Sequence, residues 1–319
     1  MVVTVAAGLM VSAPLFPGWV RYVVQIALAI GLVSLGVMIL LRAGLLSFGQ
    51  GLYYMVGGYS VGFLSRHAGI TDAFAATATG IVASAAFAAL LGLFIVRYRS
   101  IFFAMLTLAV AMIVYGVALK VSLFGGTDGL NVRPTTWLGY APRGSQLQLT
   151  QFQFTVLLTA VLILAARKLL NSRFGKLIEA IHDNELRLEY LGLSVRRSLL
   201  AIYVVAGALG GAGGALAAMA ARHVDPSFTY WTTSGEFVFV AILGGTGSVF
   251  APFFASFLLE IIRSFAAAWL PDYWQLLLGV MMLALVLLLP RGLWSLARVV
   301  QRTFGRTSAP VLLREDART

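Results

Sequence analysis

LLAIYVVAGALGGAGGALAAMAA, residues 199–221, runs for 23 residues without a charge. A helix of that length measures about 34 Å at 1.5 Å per residue, enough to cross roughly 30 Å of hydrocarbon. From Ala206 onward it has no aromatic side chain, and it pairs Gly207 with Gly211 and Gly210 with Gly214, each four apart. In lipid, packing must replace the missing hydrophobic drive, and small residues at this spacing let helix backbones approach closely. The stretch reads as a membrane-spanning helix in a tightly packed bundle.

The rest of the chain agrees. Of its 319 residues, 60% are hydrophobic and 11% charged, and the mean hydropathy is +0.91. Soluble domains carry about a quarter charged residues. With no cysteine, disulfide frameworks and thiolate metal sites are excluded. His67, His182 and His223 lie too far apart to suggest a metal site. The net charge of +11 does not point to nucleic acid, because the basic residues fall mostly between apolar runs.

Working outward, the apolar runs predict spans at Val20–Leu41, Leu45–Leu64, Ala73–Val96, Ile101–Leu119, Phe152–Leu170, Leu199–Ala221, Phe250–Leu270 and Trp274–Leu289. Glu236–Leu243 is too short to cross alone and stops at Gly244-Gly245-Thr246-Gly247. It reads as a broken or re-entrant segment within 236–248, tolerated at membrane depth only when buried or lining a cavity. The fold expected is an all-α polytopic membrane protein with eight to nine transmembrane helices, one of them broken. Residues 1–295 form the membrane domain and 296–319 a basic tail. The N-terminal MVVTVAAGLMVSAPLFPGWV lacks a signal peptide's basic start and reads as an outer segment or half-helix. Alternation places Arg42, Arg97, Arg99, residues 167–197 and the tail on one side, which the positive-inside bias makes cytoplasmic. The N-terminus is then outside and the C-terminus inside.

Just before the opening span lies FGKLIEAIHDNELRLEYLGLSVRR, 174–197, with eight of the chain's 35 formal charges. Leu177, Ile178, Ile181, Leu188 and Leu191 fit one apolar helix face; Lys176, Glu179, Asp183, Glu185, Arg187 and Glu189 occupy the remainder. Asn171 or Ser172 suits the helix start and Gly192 its end. Such a helix can lie on lipid headgroups. Its mainly acidic polar face favours a groove on a partner protein slightly more.

Among charges inside spans, Glu260 and Arg263 are three apart and suited to pair, while Glu236 opens the broken segment at the positive end of a helix dipole. Neither FGGTDGL (124–130) nor GGTGS (244–248) carries the lysine of a P-loop, so ATP hydrolysis is not expected of this chain. FGGTDGL suits a tight turn. The aromatics of RHVDPSFTYWTTSGE (222–236) suit a membrane interface.

Taken in order, several motifs resemble those of the membrane permease subunits of branched-chain amino acid ABC importers, M type. They are GLLSFGQGLYYMVGGYSVGFL (44–64), RSIFFAMLTLAVAMIVYGV (99–117), FGGTDGL (124–130), RFGKLIEAIHDNELRLEYLGLSV (173–195), ALGGAGGAL (208–216), WTTSGE (231–236), ILGGTGSVFAP (242–252) and LPRGL (289–293). The resemblance covers about residues 25–295. It implies a multi-pass subunit of a bacterial inner membrane, with no catalytic residue or cofactor of its own. It also implies a sister permease, two cytoplasmic ATPases that hold ATP and magnesium, and an outer solute-binding protein.

Further, the resemblance implies that 171–197 is the loop coupling the permease to an ATPase. The match runs through Arg173, Gly175, Ala180, Asn184, Glu185 and Gly192, with Ile178, Ile181 and Leu188 as its apolar face. His182-Asp183 departs from the family's usual arginine–glutamate. Gln50 stands where some members carry histidine. Gln50, Gly57, Gly58, Gly244, Gly245 and Gly247 are the candidate path residues. The substrate class implied is branched-chain or related amino acids; a permease for urea or short amides and a stand-alone secondary carrier are the alternatives.

Overall fold

A computed structural model describes residues 2–269 and, beyond them, 273, 276, 277, 279, 280, 283 and 284. The span expected at Trp274–Leu289 is described at only six positions, and the tail 296–319 lies outside the described residues.

Helices follow the apolar runs. They are α1 (Val2–Ser12), α2 (Gly18–Arg42), α3 (Gln50–His67), α4 (Ala73–Ile95), α5 (Ser100–Lys120), α6 (Ser145–Leu170), α7 (Arg173–Asp183), α8 (Glu185–Tyr190), α9 (Val195–Ala221), α10 (Trp231–Gly244) and α11 (Ala251–Trp269). Two short strands, β1 (Leu130–Asn131) and β2 (His223–Val224), pair antiparallel. Six of the described helices, α2, α4, α5, α6, α9 and α11, are long and apolar enough to cross a membrane. The all-α polytopic class holds. The expected second span, α3, is not among these six.

The opening stretch forms the centre. α9 packs against α2, α3 and α4, and its glycines divide among those neighbours. Gly207 and Gly211 face Ala88 and Ser84 of α4; Gly210 and Gly214 face Tyr53 and Tyr54 of α3. Gly213 faces α2, where a Cβ would stand 2.6 Å from the Ala29 carbonyl oxygen. Gly36 of α2 answers it, 2.9 Å from the Ala206 carbonyl by the same measure. The four-residue pairs serve two different contacts, and a fifth glycine, Gly213, serves a third.

Two helices start late, after non-helical chain, where the sequence suggested one broken segment. Leu45–Gly49 is non-helical and mostly buried, so α3 begins late. The backbone of Gly49 lies against Thr107, seven residues into α5, or about 10 Å along it. Gln50 Oε1 approaches Gly210, fifteen residues into α9, or about 22 Å. α3 therefore starts at the middle of the bundle. From the opposite end the chain descends through β2 and the 3-10 turn Pro226–Thr229 before α10 begins. α10 is longer than the expected Glu236–Leu243 and runs to the Arg42 end, where Gly245 (φ 85°) stops it. α11 then leaves from Ala251.

α1 is an 11-residue helix, too short to span, that packs on α6. FGGTDGL forms the tight turn expected, with Gly125, Gly126 and Gly129 all at positive φ.

Candidate functional site

The two late-starting helices meet at their N-termini. The Gly51 N–H of α3 donates to Ser234 Oγ in the first turn of α10 at 3.1 Å. Each N-terminus carries the positive end of a helix dipole, and discontinuous helices use such ends to hold anionic groups within membranes. Gln50 is fully buried there, and neither atom of its amide has a hydrogen-bond partner among the described residues. Thr229 Oγ1 is likewise buried without one. The Tyr54 ring closes one side against Phe228 (4.6 Å) and Phe237 (5.1 Å).

Of the path residues expected from sequence, the structure brings only Gln50 to this junction. Gly57 packs backbone to backbone on Gly211, and its carbonyl would lie 3.1 Å from a Cβ on Gly80. Gly58 sits under Val224. Gly244 is pressed against Ala251, Gly245 makes the turn, and Gly247 is exposed beyond it. These glycines secure close packing and a reversal of direction. Thr229 and Ser234 were missed, because a threonine and a serine amid aromatics read as interface residues.

Next to the junction, Arg263 joins two carboxylates. Its Nη2 lies 2.5 Å from Glu236 Oε1 and its Nη1 2.8 Å from Glu260 Oε1. The sequence paired Glu260 with Arg263 but left Glu236 as a boundary residue. The structure makes it the clamp between α10 and α11.

The charged segment is two helices rather than one. Ser172 Oγ accepts from the Phe174 N–H (3.2 Å) and caps α7. At Asn184 the backbone extends (φ −163°, ψ 101°), and Asn184 Oδ1 accepts from the Arg187 N–H at 3.0 Å, capping α8. Gly192 at φ 80° follows α8. The apolar face points inward: Ile178 and Ile181 are 0% and 1% exposed, Leu188 is buried, and Gly175 packs on the Leu170 backbone. This corrects the expectation that Ile178, Ile181 and Leu188 face a partner; they fill this chain's own core. Ala180 is half-buried and Arg173 exposed. The exposed tip carries Asp183, Leu186, Arg187, Glu189, Tyr190 and Leu191, with Tyr190 89% exposed. His182 is exposed beside Gly44.

Two ion pairs fasten this segment to the bundle. Arg42, the last residue of α2, reaches Glu179 at 3.5 Å. The same guanidinium donates to the Thr246 carbonyl, in the break after α10, from Nε (2.9 Å) and Nη2 (2.5 Å). Arg99, at the start of α5, pairs with Glu185 at 2.6 Å. In the sequence Arg42 and Arg99 served only to orient the chain.

Comparison with known proteins adds a name to this architecture. The chain is 27% identical over 282 residues to the high-affinity branched-chain amino acid transport system permease protein LivM of Escherichia coli (strain K12). It is equally similar to LivM of Salmonella typhimurium (strain LT2). Each alignment covers 80% of this chain and 65% of the relative, so the chain spans just under two thirds of the length of these curated relatives. No solved structure matches it. The family profile described as the branched-chain amino acid transport system / permease component matches residues 20–286. With that match running from α2 past α11, the chain belongs to the branched-chain amino acid transport system permease family.

Proposed function

We propose that the chain is a membrane-spanning permease subunit of an ATP-binding-cassette importer for branched-chain or related amino acids. A sister permease, two ATPases holding ATP and magnesium, and an outer solute-binding protein complete it. The membrane is a bacterial inner membrane, with the Arg42 end of the bundle cytoplasmic and the β1–β2 end outside.

Arg42 carries this reading. One side chain ties the segment bearing the exposed tip to the turn that ends α10, whose other end meets α3 at the half-helix junction. Closure of the ATPases would push the tip, residues 183–193, through its exposed Leu186, Tyr190 and Leu191. Arg42 and Arg99 would pass that displacement to the α10–α11 turn and to α5. The junction would then open alternately to either side, as in rigid-body alternating access. An amino acid's carboxylate would meet the two helix N-termini and the free amide of Gln50. The energy comes from the partners; this chain supplies the path and the linkage.

Reconstitution tests the reading. The chain, co-expressed with the sister permease and ATPases encoded beside it, should take up leucine into proteoliposomes only with ATP and the binding protein. Leucine uptake by the chain alone, driven by an ion gradient, would make it a secondary carrier. ATP-dependent uptake of urea and not leucine would reassign the substrate.

A further inference from the structure

A second polar site lies at the end of the bundle where α2 and α6 begin and α9 ends. A cavity of about 280 Å³ is lined there by Arg21, Tyr22 and Gln25 of α2, Gln148 and Gln151 of α6, and Arg222 just past α9. We propose that this cavity binds a phosphate-type oxyanion, supplied by the headgroup of a membrane phospholipid.

The lining is rich in donors and lacks an acid. Two guanidiniums share the space, and no carboxylate borders it. Neither arginine side chain has an ion-pair or hydrogen-bond partner among the described residues, and Arg21 Nε is buried without one. Gln151 is 7% exposed, and its Nε2 is also buried and unpartnered. Two like charges facing one cavity repel each other, and buried N–H groups without acceptors forfeit the hydration they had in water. A single oxyanion between the arginines removes both penalties, since guanidinium binds phosphate oxygens through paired N–H bonds.

Depth selects the lipid over a free ion. Gly18 begins α2 and Arg222 follows the last residue of α9, so the cavity sits where two helices reach the end of the bundle. Trp19 and Tyr22, 59% and 46% exposed, flank Arg21 on the same helical turn. Exposed tryptophan and tyrosine at a helix end mark the headgroup level. A phosphodiester at that level enters the cavity without its acyl chains leaving the bilayer.

Native mass spectrometry and thermal unfolding of the delipidated full-length complex test the site. Dioctanoyl phosphatidylglycerol, dioctanoylglycerol and inorganic phosphate serve as probes. Phosphatidylglycerol should bind at least tenfold more tightly than the phosphate-free diacylglycerol. Arg21→Gln/Arg222→Gln should lose that tenfold, while Arg66→Gln/Arg133→Gln, which removes two arginines elsewhere, should not. Gln148→Glu places a tethered carboxylate in the cavity; it should bind the lipid at least tenfold more weakly yet melt higher than the parent without lipid. A thermal shift from inorganic phosphate alone, absent with the short-chain lipid, would overturn the headgroup as source. Equal binding of the diacylglycerol, or unchanged lipid binding by both cavity variants, would overturn the site.

Discussion

The guanidinium of Arg42 holds the carbonyl of Thr246 with two nitrogens, at 2.9 and 2.5 Å, across 204 residues of sequence. The contact joins the end of α2 to the break between α10 and α11. Charge-assisted bonds of this kind contribute about 1.5–3 kcal/mol each. Arg42→Ala should lower ATP-driven uptake by roughly tenfold or more, converted from that energy, while the partner ATPases still hydrolyse ATP. Arg42→Lys, which cannot reproduce the two-nitrogen grip, should recover only part of the loss. Parallel uptake and ATPase measurements on proteoliposomes check both; unchanged uptake in Arg42→Ala would remove the linkage.

Burial separates the two faces of α7–α8. Ile181 is inside, so Ile181→Ala should cost about 2–5 kcal/mol and reduce the amount of folded protein. Tyr190 is outside, so Tyr190→Asp should leave the melting temperature unchanged and weaken binding of the ATPases. Thermal unfolding in detergent and pull-down of the ATPases distinguish the cases. Uptake unaffected by Tyr190→Asp, Leu191→Asp and Leu186→Asp together would show that the tip touches no partner.

Small changes on α9 should be large in effect. Gly213→Ala sets a methyl 2.6 Å from the Ala29 carbonyl, where backbone must shift. Gly116→Ala on α5 meets nothing within 4 Å and should stabilise slightly, by about 0.5–1 kcal/mol, from helix propensity alone. Comparing the two melting temperatures isolates packing from propensity.

Within the α10–α11 clamp, Arg263→Gln leaves the buried Glu260 and the half-buried Glu236 carboxylates near each other and should destabilise by about 3–5 kcal/mol. Glu236→Gln keeps the Glu260–Arg263 pair and should cost less. Equal losses on thermal unfolding would show that the three groups do not act as one cluster.

The spans were legible because membrane solvation writes them into composition. Val20–Leu41 was expected and Gly18–Arg42 found; Ile101–Leu119 was expected and Ser100–Lys120 found. What hydropathy cannot show is backbone conformation. Leu45–Gly49 is as apolar as a helix turn, yet it is non-helical, because Gly49 packs on Thr107 and Gly51 bonds to Ser234. Periodicity found the apolar stripe of 177–191 but not its neighbour; Ile178 and Ile181 pack on the chain's own core. Glu236 and Arg263 meet only because the chain turns back at Gly245, a closeness that sequence separation hides.

The glycine faces of α9 have a mechanical consequence. Side chains that interdigitate must change rotamer when one helix slips past another, and each such change is a barrier. Backbone laid on backbone has nothing to unlock. α2, α3 and α4 each rest on glycines of one axle, with few side-chain atoms between them that would have to rearrange for a tilt. The stretch with the fewest side-chain atoms is thus the bearing on which the bundle can turn.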